Sequence, residues 1–228
     1  MRMPLAERLV AMTIMGVVRV LCDADTWQME KIPKKGPAIL LTNHTSIFEG
    51  PVYYILLRGR PKTALAKREL WGNPATRFLM QLWGIIPINR EGPDRRALER
   101  AMAALHRGEF LGVAGEGTRS PDETLLPGRP GAAMIALQAQ VPIIPMVHWG
   151  LKSIPRNLLK LRRSRIHFRV GKPFYLEVPS GERPRPKDIR TMADEMMYQL
   201  AVLMPEHLRG HYSDLSAMTT RFIRYTGL

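Results

Sequence analysis

Ala38-Ile39-Leu40-Leu41-Thr42 is an unbroken apolar run of strand length, and it stops at a polar pair, Asn43-His44. A strand with one wet face alternates apolar and polar residues. A run without alternation belongs to a strand covered on both faces, as in a parallel sheet between helices. Four more segments read the same way: residues 63–66, 84–88 (GIIPI), 110–114 (FLGVA) and 141–147 (VPIIPMV). Helix-like segments separate or follow them, at 51–58, 74–82, 95–107, 131–140 and 187–204, the last after a strand-like stretch at 165–176. Strand–helix alternation of this kind predicts an α/β fold, a largely parallel sheet flanked by helices. No internal repeat, low-complexity tract or long linker interrupts it. The expected organisation is an N-terminal apolar membrane-association segment, residues 1–22, carrying a membrane-interfacial helix, ahead of a single domain spanning 23–228.

Reactive residues cluster where these strands end. Asn43-His44 follows the first run, Lys67 the second, Asn89-Arg90 the third, and Glu116-Gly117-Thr118-Arg119-Ser120 the fourth. Ligands of open parallel sheets bind in the crevice at the carboxyl ends of the strands, so the four clusters can converge on one site. A His oriented by a carboxylate makes a general base, and Glu49 stands five residues after His44. On one continuous helix those side chains would point roughly 140° apart. They can meet only if His44 sits in a turn folded back over the next helix start. Pro51 suits that arrangement, because Pro belongs at the first helical position, so the helix should begin near Gly50 or Pro51. A rival reading makes Ser46 an N-cap and Glu49 its capping-box partner. The Glu116–Ser120 turn offers backbone amides, a hydroxyl and a guanidinium, enough for a phosphate cradle. It also reads as a polar surface turn, and Lys67 and Arg90 read equally as solvated charges.

Composition narrows the partners. The chain has 228 residues, 45% of them apolar, and a net charge of +14, which attracts polyanions: nucleic acid, an anionic lipid surface or an acidic partner. Its single cysteine, Cys22, excludes an intramolecular disulfide and a Cys-based metal site. No His/Cys metal cluster, Mg²⁺ motif or dinucleotide motif is visible, so neither metal nor cofactor is expected. Residues 9–18 (LVAMTIMGVV), between Arg8 and Arg19, form an uncharged run too short to span a bilayer, which takes about 20 residues. That run reads either as a buried core helix or as a helix lying in the membrane interface. The basic stretch 152–165 (KSIPRNLLKLRRSR) interleaves leucines, not aromatics, with its charges. Nucleic-acid binding calls for aromatics or a recognisable module, whereas interleaved leucines suit an anionic membrane surface, and the stretch also reads as a plain solvated basic loop.

Taken in order, NHTSIFE (43–49), AKREL (66–70), GIIPINR (84–90), EGTRS (116–120) and VPIIPM (141–146) resemble the glycerolipid acyltransferases, most nearly the bacterial 1-acylglycerol-3-phosphate acyltransferases. Gly171-Lys172-Pro173 is similar to a late turn of that family. The resemblance implies an O-acyltransferase that carries a fatty acyl group from acyl-CoA or acyl-carrier protein to the sn-2 hydroxyl of lysophosphatidic acid, giving phosphatidic acid. It implies His44 as base and Glu49 as its partner. Lys67, Arg90, Glu116, Gly117, Thr118 and Arg119 would bind the acceptor and its phosphate. Residues 141–145 would help shape the acyl pocket. The implied setting is the cytoplasmic face of the cell membrane, held peripherally or monotopically. Other lysolipid, amino-acid-lipid or glycolipid acceptors are compatible with the same chemistry. This chain departs from the family's usual pattern in carrying Glu49 for Asp, Gly115 for Pro and Arg129 for a frequent Lys.

Overall fold

A computed structural model describes residues 5–89, 92, 94–178 and 183–226. Its strands are β1 (Cys22–Asp25), β2 (Ala38–Thr42), β3 (Lys62–Lys67), β4 (Ile86–Ile88), β5 (Phe110–Ala114), β6 (Ile143–Trp149), β7 (Ser164–Val170), β8 (Phe174–Leu176) and β9 (Ile223–Tyr225). The α-helices are α1 (Leu5–Leu21), α2 (Glu49–Leu56), α3 (Pro74–Leu82), α4 (Arg95–His106), α5 (Pro130–Ala139), α6 (Ile154–Leu159) and α7 (Pro186–Ala201). The sheet runs β1-β7-β6-β2-β5-β3-β4, with β8 beside β6 and β9 beside β8. β6, β2, β5, β3 and β4 are mutually parallel. β7 is antiparallel to β6, and β8 is antiparallel to both β6 and β9. The result is a largely parallel α/β sheet flanked by helices.

β2 shows why its sequence does not alternate. Ile39 and Leu41 face one buried cluster, shared with residues of α4, α5 and α7, while Ala38 and Leu40 face another that includes Val52 of α2 and Phe168 of β7. Both faces are dry, so period-two patterning has nothing to report. Capping sets the helix boundaries. Asn73 accepts the amides of Ala75 and Thr76 ahead of Pro74, and Asp94 accepts that of Ala97.

Some expected boundaries shift. α2 begins at Glu49, two residues before Pro51, which therefore sits in the first turn, where its missing N–H costs nothing. Lys67 closes β3 rather than following it. The strand-like stretch 165–176 is two strands, β7 and β8, separated by 171–173. β1 and β9, both short, carry no apolar run.

α1 extends beyond the apolar run 9–18 and has two kinds of face. Ala11 is buried in a cluster with Tyr54 and Trp83, whereas Leu9, Met12, Val17 and Val20 are exposed. Among the described residues, no helix is long and apolar enough to cross a membrane. Topology brings the end of α1 to the same edge of the sheet as His44. Cys22 of β1 pairs with Ser164 of β7, and antiparallel pairing to β6 carries Ser164 past Trp149, beyond the end of β6. Arg163 ties this corner together by donating to the carbonyls of Arg19 and Cys22.

Candidate active site

β2 ends at Thr42, and the next residues turn back over the start of α2. His44 sits in that turn, and its Nδ1 lies 2.6 Å from Glu49 Oε2. The other carboxylate oxygen, Oε1, accepts the amides of Thr45 and Ser46, the latter at 2.5 Å. Glu49 therefore does both jobs that its position allowed: it folds the turn and holds the imidazole. Ser46 does not cap the helix, but its hydroxyl accepts the amide of Phe48. Burial alone would raise the Glu49 carboxyl. Hydrogen bonds from His148 and His44 outweigh it and hold the group well below the usual carboxylate range. An ionised Glu49 takes its hydrogen bond from Nδ1–H, so the lone pair of His44 lies on Nε2, on a ring about one-fifth exposed.

Behind this pair stands a second histidine. His148 of β6 is fully buried, and its Nε2 lies 3.1 Å from Glu49 Oε1 and 3.2 Å from Thr45 Oγ1. Its Nδ1 is 2.7 Å from the Tyr53 hydroxyl, which is 2.8 Å from Thr42 Oγ1. Asn43 fixes the backbone of the same residue, donating to the His148 carbonyl at 2.8 Å and accepting its amide at 3.0 Å. The Asn of the Asn-His pair thus joins the ends of β2 and β6.

Glu116 is buried, and both its oxygens face backbone. Oε2 accepts the His44 amide at 2.6 Å and Oε1 that of Leu126 at 2.9 Å. Burial pushes its carboxyl up to about 7 despite those two amides. Ser120 reinforces the clasp by donating its amide to the His44 carbonyl at 2.7 Å. Gly117 turns the chain at a φ of 65°, where an added Cβ would meet the Arg129 side chain at 2.9 Å. Thr118 and Arg119 point outward from this turn and are exposed. Lys67, half-buried, ends β3 at the same sheet edge. The structure thus joins His44, Glu49 and Glu116 by direct contact and leaves Lys67, Thr118 and Arg119 around them. Arg90 lies outside the described residues.

The acyltransferase family model matches residues 25–149, more than half of the chain. The chain belongs to the acyltransferase family. Over 133 residues it is 29% identical to a chloroplastic 1-acyl-sn-glycerol-3-phosphate acyltransferase of Brassica napus, a match covering 57% of this chain and 38% of that one. Over 221 residues it is 28% identical to a DGAT1/2-independent enzyme synthesizing storage lipids from Bos taurus, covering 85% and 63%. It therefore spans less than two thirds of the length of either relative. It also shares its fold with the 1-acyl-sn-glycerophosphate (LPA) acyltransferase PlsC of Thermotoga maritima. That likeness has a TM-score of 0.60 and 23% identity, and covers 93% of this chain and 80% of that one.

The acyltransferase match runs from the last residue of β1 to the last of β6, so it contains His44, Glu49 and also His148. Sequence reasoning passed over His148, Tyr53 and Thr42. The sequence carries one signal for the second histidine: His148 follows the apolar run 141–147 just as His44 follows β2.

Proposed function

We propose that this acyltransferase moves a fatty acyl group from acyl-CoA or acyl-carrier protein to the sn-2 hydroxyl of lysophosphatidic acid, giving phosphatidic acid. The observation that carries the reading is the 2.6 Å contact between His44 Nδ1 and a buried, ionised Glu49, which leaves Nε2 as the free base at the sheet edge. Nε2 takes the acceptor's hydroxyl proton as the oxygen attacks the thioester carbonyl. The C–S bond then breaks, and the departing thiolate takes the proton from the imidazolium. A thioester is already activated, so this route needs no Ser or Cys nucleophile, metal or cofactor. General-base catalysis typically contributes about 10²–10⁴-fold, and fixing both reactants in a dry cleft supplies much of the rest.

Arg119, Thr118 and the backbone at Gly117 supply the acceptor's phosphate contacts, helped by Lys67 and Arg90. Glu116 serves the acceptor indirectly, through the backbone of His44. Another lysolipid, an amino-acid lipid or a glycolipid as acceptor is the second reading of the same chemistry, and one relative is named as an enzyme synthesizing storage lipids. A bilayer-borne acceptor and a water-borne donor place the enzyme at an anionic membrane surface, on the cytoplasmic face. The exposed apolar face of α1 and the basic stretch 152–165 support that placement. The deciding experiment is an acyl-transfer assay across a panel of lysolipids with both donor types. Transfer to lysophosphatidic acid above all other acceptors is expected. Transfer to another lysolipid, with none to lysophosphatidic acid, would replace the acceptor and keep the base.

A further inference from the structure

We infer that His148 is a positioning residue for the His44–Glu49 base, held in one tautomer by a hydroxyl relay from Thr42 and Tyr53. The inference rests on the acyl-transfer reading for its kinetic test and on geometry for the rest. An ionised carboxylate only accepts hydrogen bonds, so the nitrogen 3.1 Å from Glu49 Oε1, His148 Nε2, carries the hydrogen. Nδ1 is then the lone-pair nitrogen, and the partner 2.7 Å away, Tyr53, donates its hydroxyl hydrogen to it. With its own hydrogen given to His148, the Tyr53 oxygen can only accept from Thr42 Oγ1 at 2.8 Å, which shares its hydrogen with the Asn43 carbonyl at 3.2 Å. Every hydrogen in the chain points one way, from Thr42 to Tyr53 to His148 to Glu49. Burial holds the Tyr53 hydroxyl far above its ordinary ionisation range, so the relay keeps its donor.

The consequence falls on Glu49. Oε1 receives three donors, from His148, Thr45 and Ser46, while Oε2 has the His44 ring. A carboxylate on the longer Glu arm has an extra rotatable bond relative to Asp. The three donors on Oε1 remove that freedom and aim Oε2 at His44 Nδ1. His148 holds this post rigidly: it is fully buried, edge-on to Tyr53, and clamped at both backbone groups by Asn43. A shift of the order of 1 Å at a reacting group can cost about 10²-fold, so loss of this anchor should reach the rate while binding stays intact.

A core histidine that merely satisfies its neighbours would behave differently on substitution, and three variants separate the two roles. His148→Phe fills the space but cannot donate to Glu49. His148→Gln puts an amide N–H where Nε2–H was. Tyr53→Phe releases the tautomer and leaves His148 in place. Per folded molecule, His148→Phe should lose tenfold or more in kcat with both KM values within about twofold. His148→Gln should recover most of that loss, and Tyr53→Phe should fall severalfold. Proton NMR gives a readout that needs no substrate. A downfield imidazole N–H resonance, assigned by its absence in His44→Ala, should persist in His148→Gln and broaden or move in His148→Phe. A folded His148→Phe with wild-type kcat, or a Gln variant no better than Phe, overturns the inference. If His148→Phe does not fold, wild-type kcat and an unmoved resonance in Tyr53→Phe overturn it. Failure of wild type to acylate any lysolipid would instead defeat the acyl-transfer reading, and the resonance would still decide the role of His148.

Discussion

His44 can act as a base only in the tautomer that leaves Nε2 bare, and that tautomer exists because a carboxylate holds Nδ1–H. Removing the ring should end transfer: His44→Ala is expected to fold normally and lose nearly all turnover, measured as kcat beside a thermal melt. Glu49→Gln keeps the shape but substitutes an amide that both donates and accepts. It should therefore be severely impaired, whereas Glu49→Asp should retain appreciable activity. Near-normal Glu49→Gln would reduce Glu49 to its backbone role. Glu116 yields a prediction about stability. Its folded pKa, pushed by burial to about 7, stands above the ordinary carboxylate value of 4.5. A raised folded pKa gives a contribution fully present below pH 4.5 that disappears as pH rises through about 7, and the shift corresponds to roughly 3 kcal/mol. Urea unfolding of wild type should thus lose stability between pH 5 and 8 relative to Glu116→Gln, which cannot titrate. Parallel curves for the two proteins would show that the two backbone amides already keep Glu116 ionised throughout.

The turn after β5 is the element to which the proposed reading assigns the acceptor's phosphate. Gly117 bends it, Glu116 and Ser120 fasten it to the backbone of His44, and Arg119 is left pointing outward. A charge-assisted hydrogen bond contributes roughly 1.5–3 kcal/mol. Arg119→Ala should therefore raise the acceptor's KM by about tenfold or more and leave the donor's KM much less changed. Equal effects on both would assign Arg119 to the donor's phosphates or to the fold. Elements of this kind differ in how plainly the sequence shows them. β2, β5 and β6 are legible because burial on both faces makes their residues uniformly apolar, and α3 because Asn73-Pro74 states its start. β1 reads Cys-Asp-Ala-Asp and is a strand only because β7 lies beside it, a partner 142 residues away in register. His44 and Glu49 were legible as a pair from their types and spacing. The second histidine shows in the sequence only by its place after an apolar run; its contact with Glu49 depends on the pairing of β6 with β2, and no local pattern encodes a register.

At the scale of the whole molecule, the fold gathers the site, the exposed leucines and much of the positive charge at one edge. α6 and the turn after it leave Leu159 and Leu161 88% and 94% exposed, with Lys152, Arg156, Lys160, Arg162 and Arg165 also exposed around them. Glu123 links this segment to the turn after β5 by accepting the amides of Gly150 and Lys152. The two attractions respond differently to salt. Each Lys or Arg near an anionic bilayer contributes about 1 kcal/mol and is screened, whereas a buried Leu side chain contributes roughly 1.5–3 kcal/mol and is not. Binding to anionic liposomes should weaken with salt yet persist in part. Deleting residues 1–22 is a blunt test, because it also strips Ala11 from the Tyr54–Trp83 cluster and Cys22 from its pairing with Ser164 of β7. Surface substitutions avoid that. Leu159→Ser with Leu161→Asn removes apolar area that packs against nothing, and the 51° φ of Leu161 suits Asn better than Leu. The double variant should melt within a few degrees of wild type. It should lose most of the salt-resistant liposome binding, and lose more activity on bilayer-presented acceptor than on detergent-dispersed acceptor. If it binds liposomes at high salt as well as wild type does, the exposed face of α1 carries the apolar contact, and Leu9, Met12 and Val20 become the residues to change.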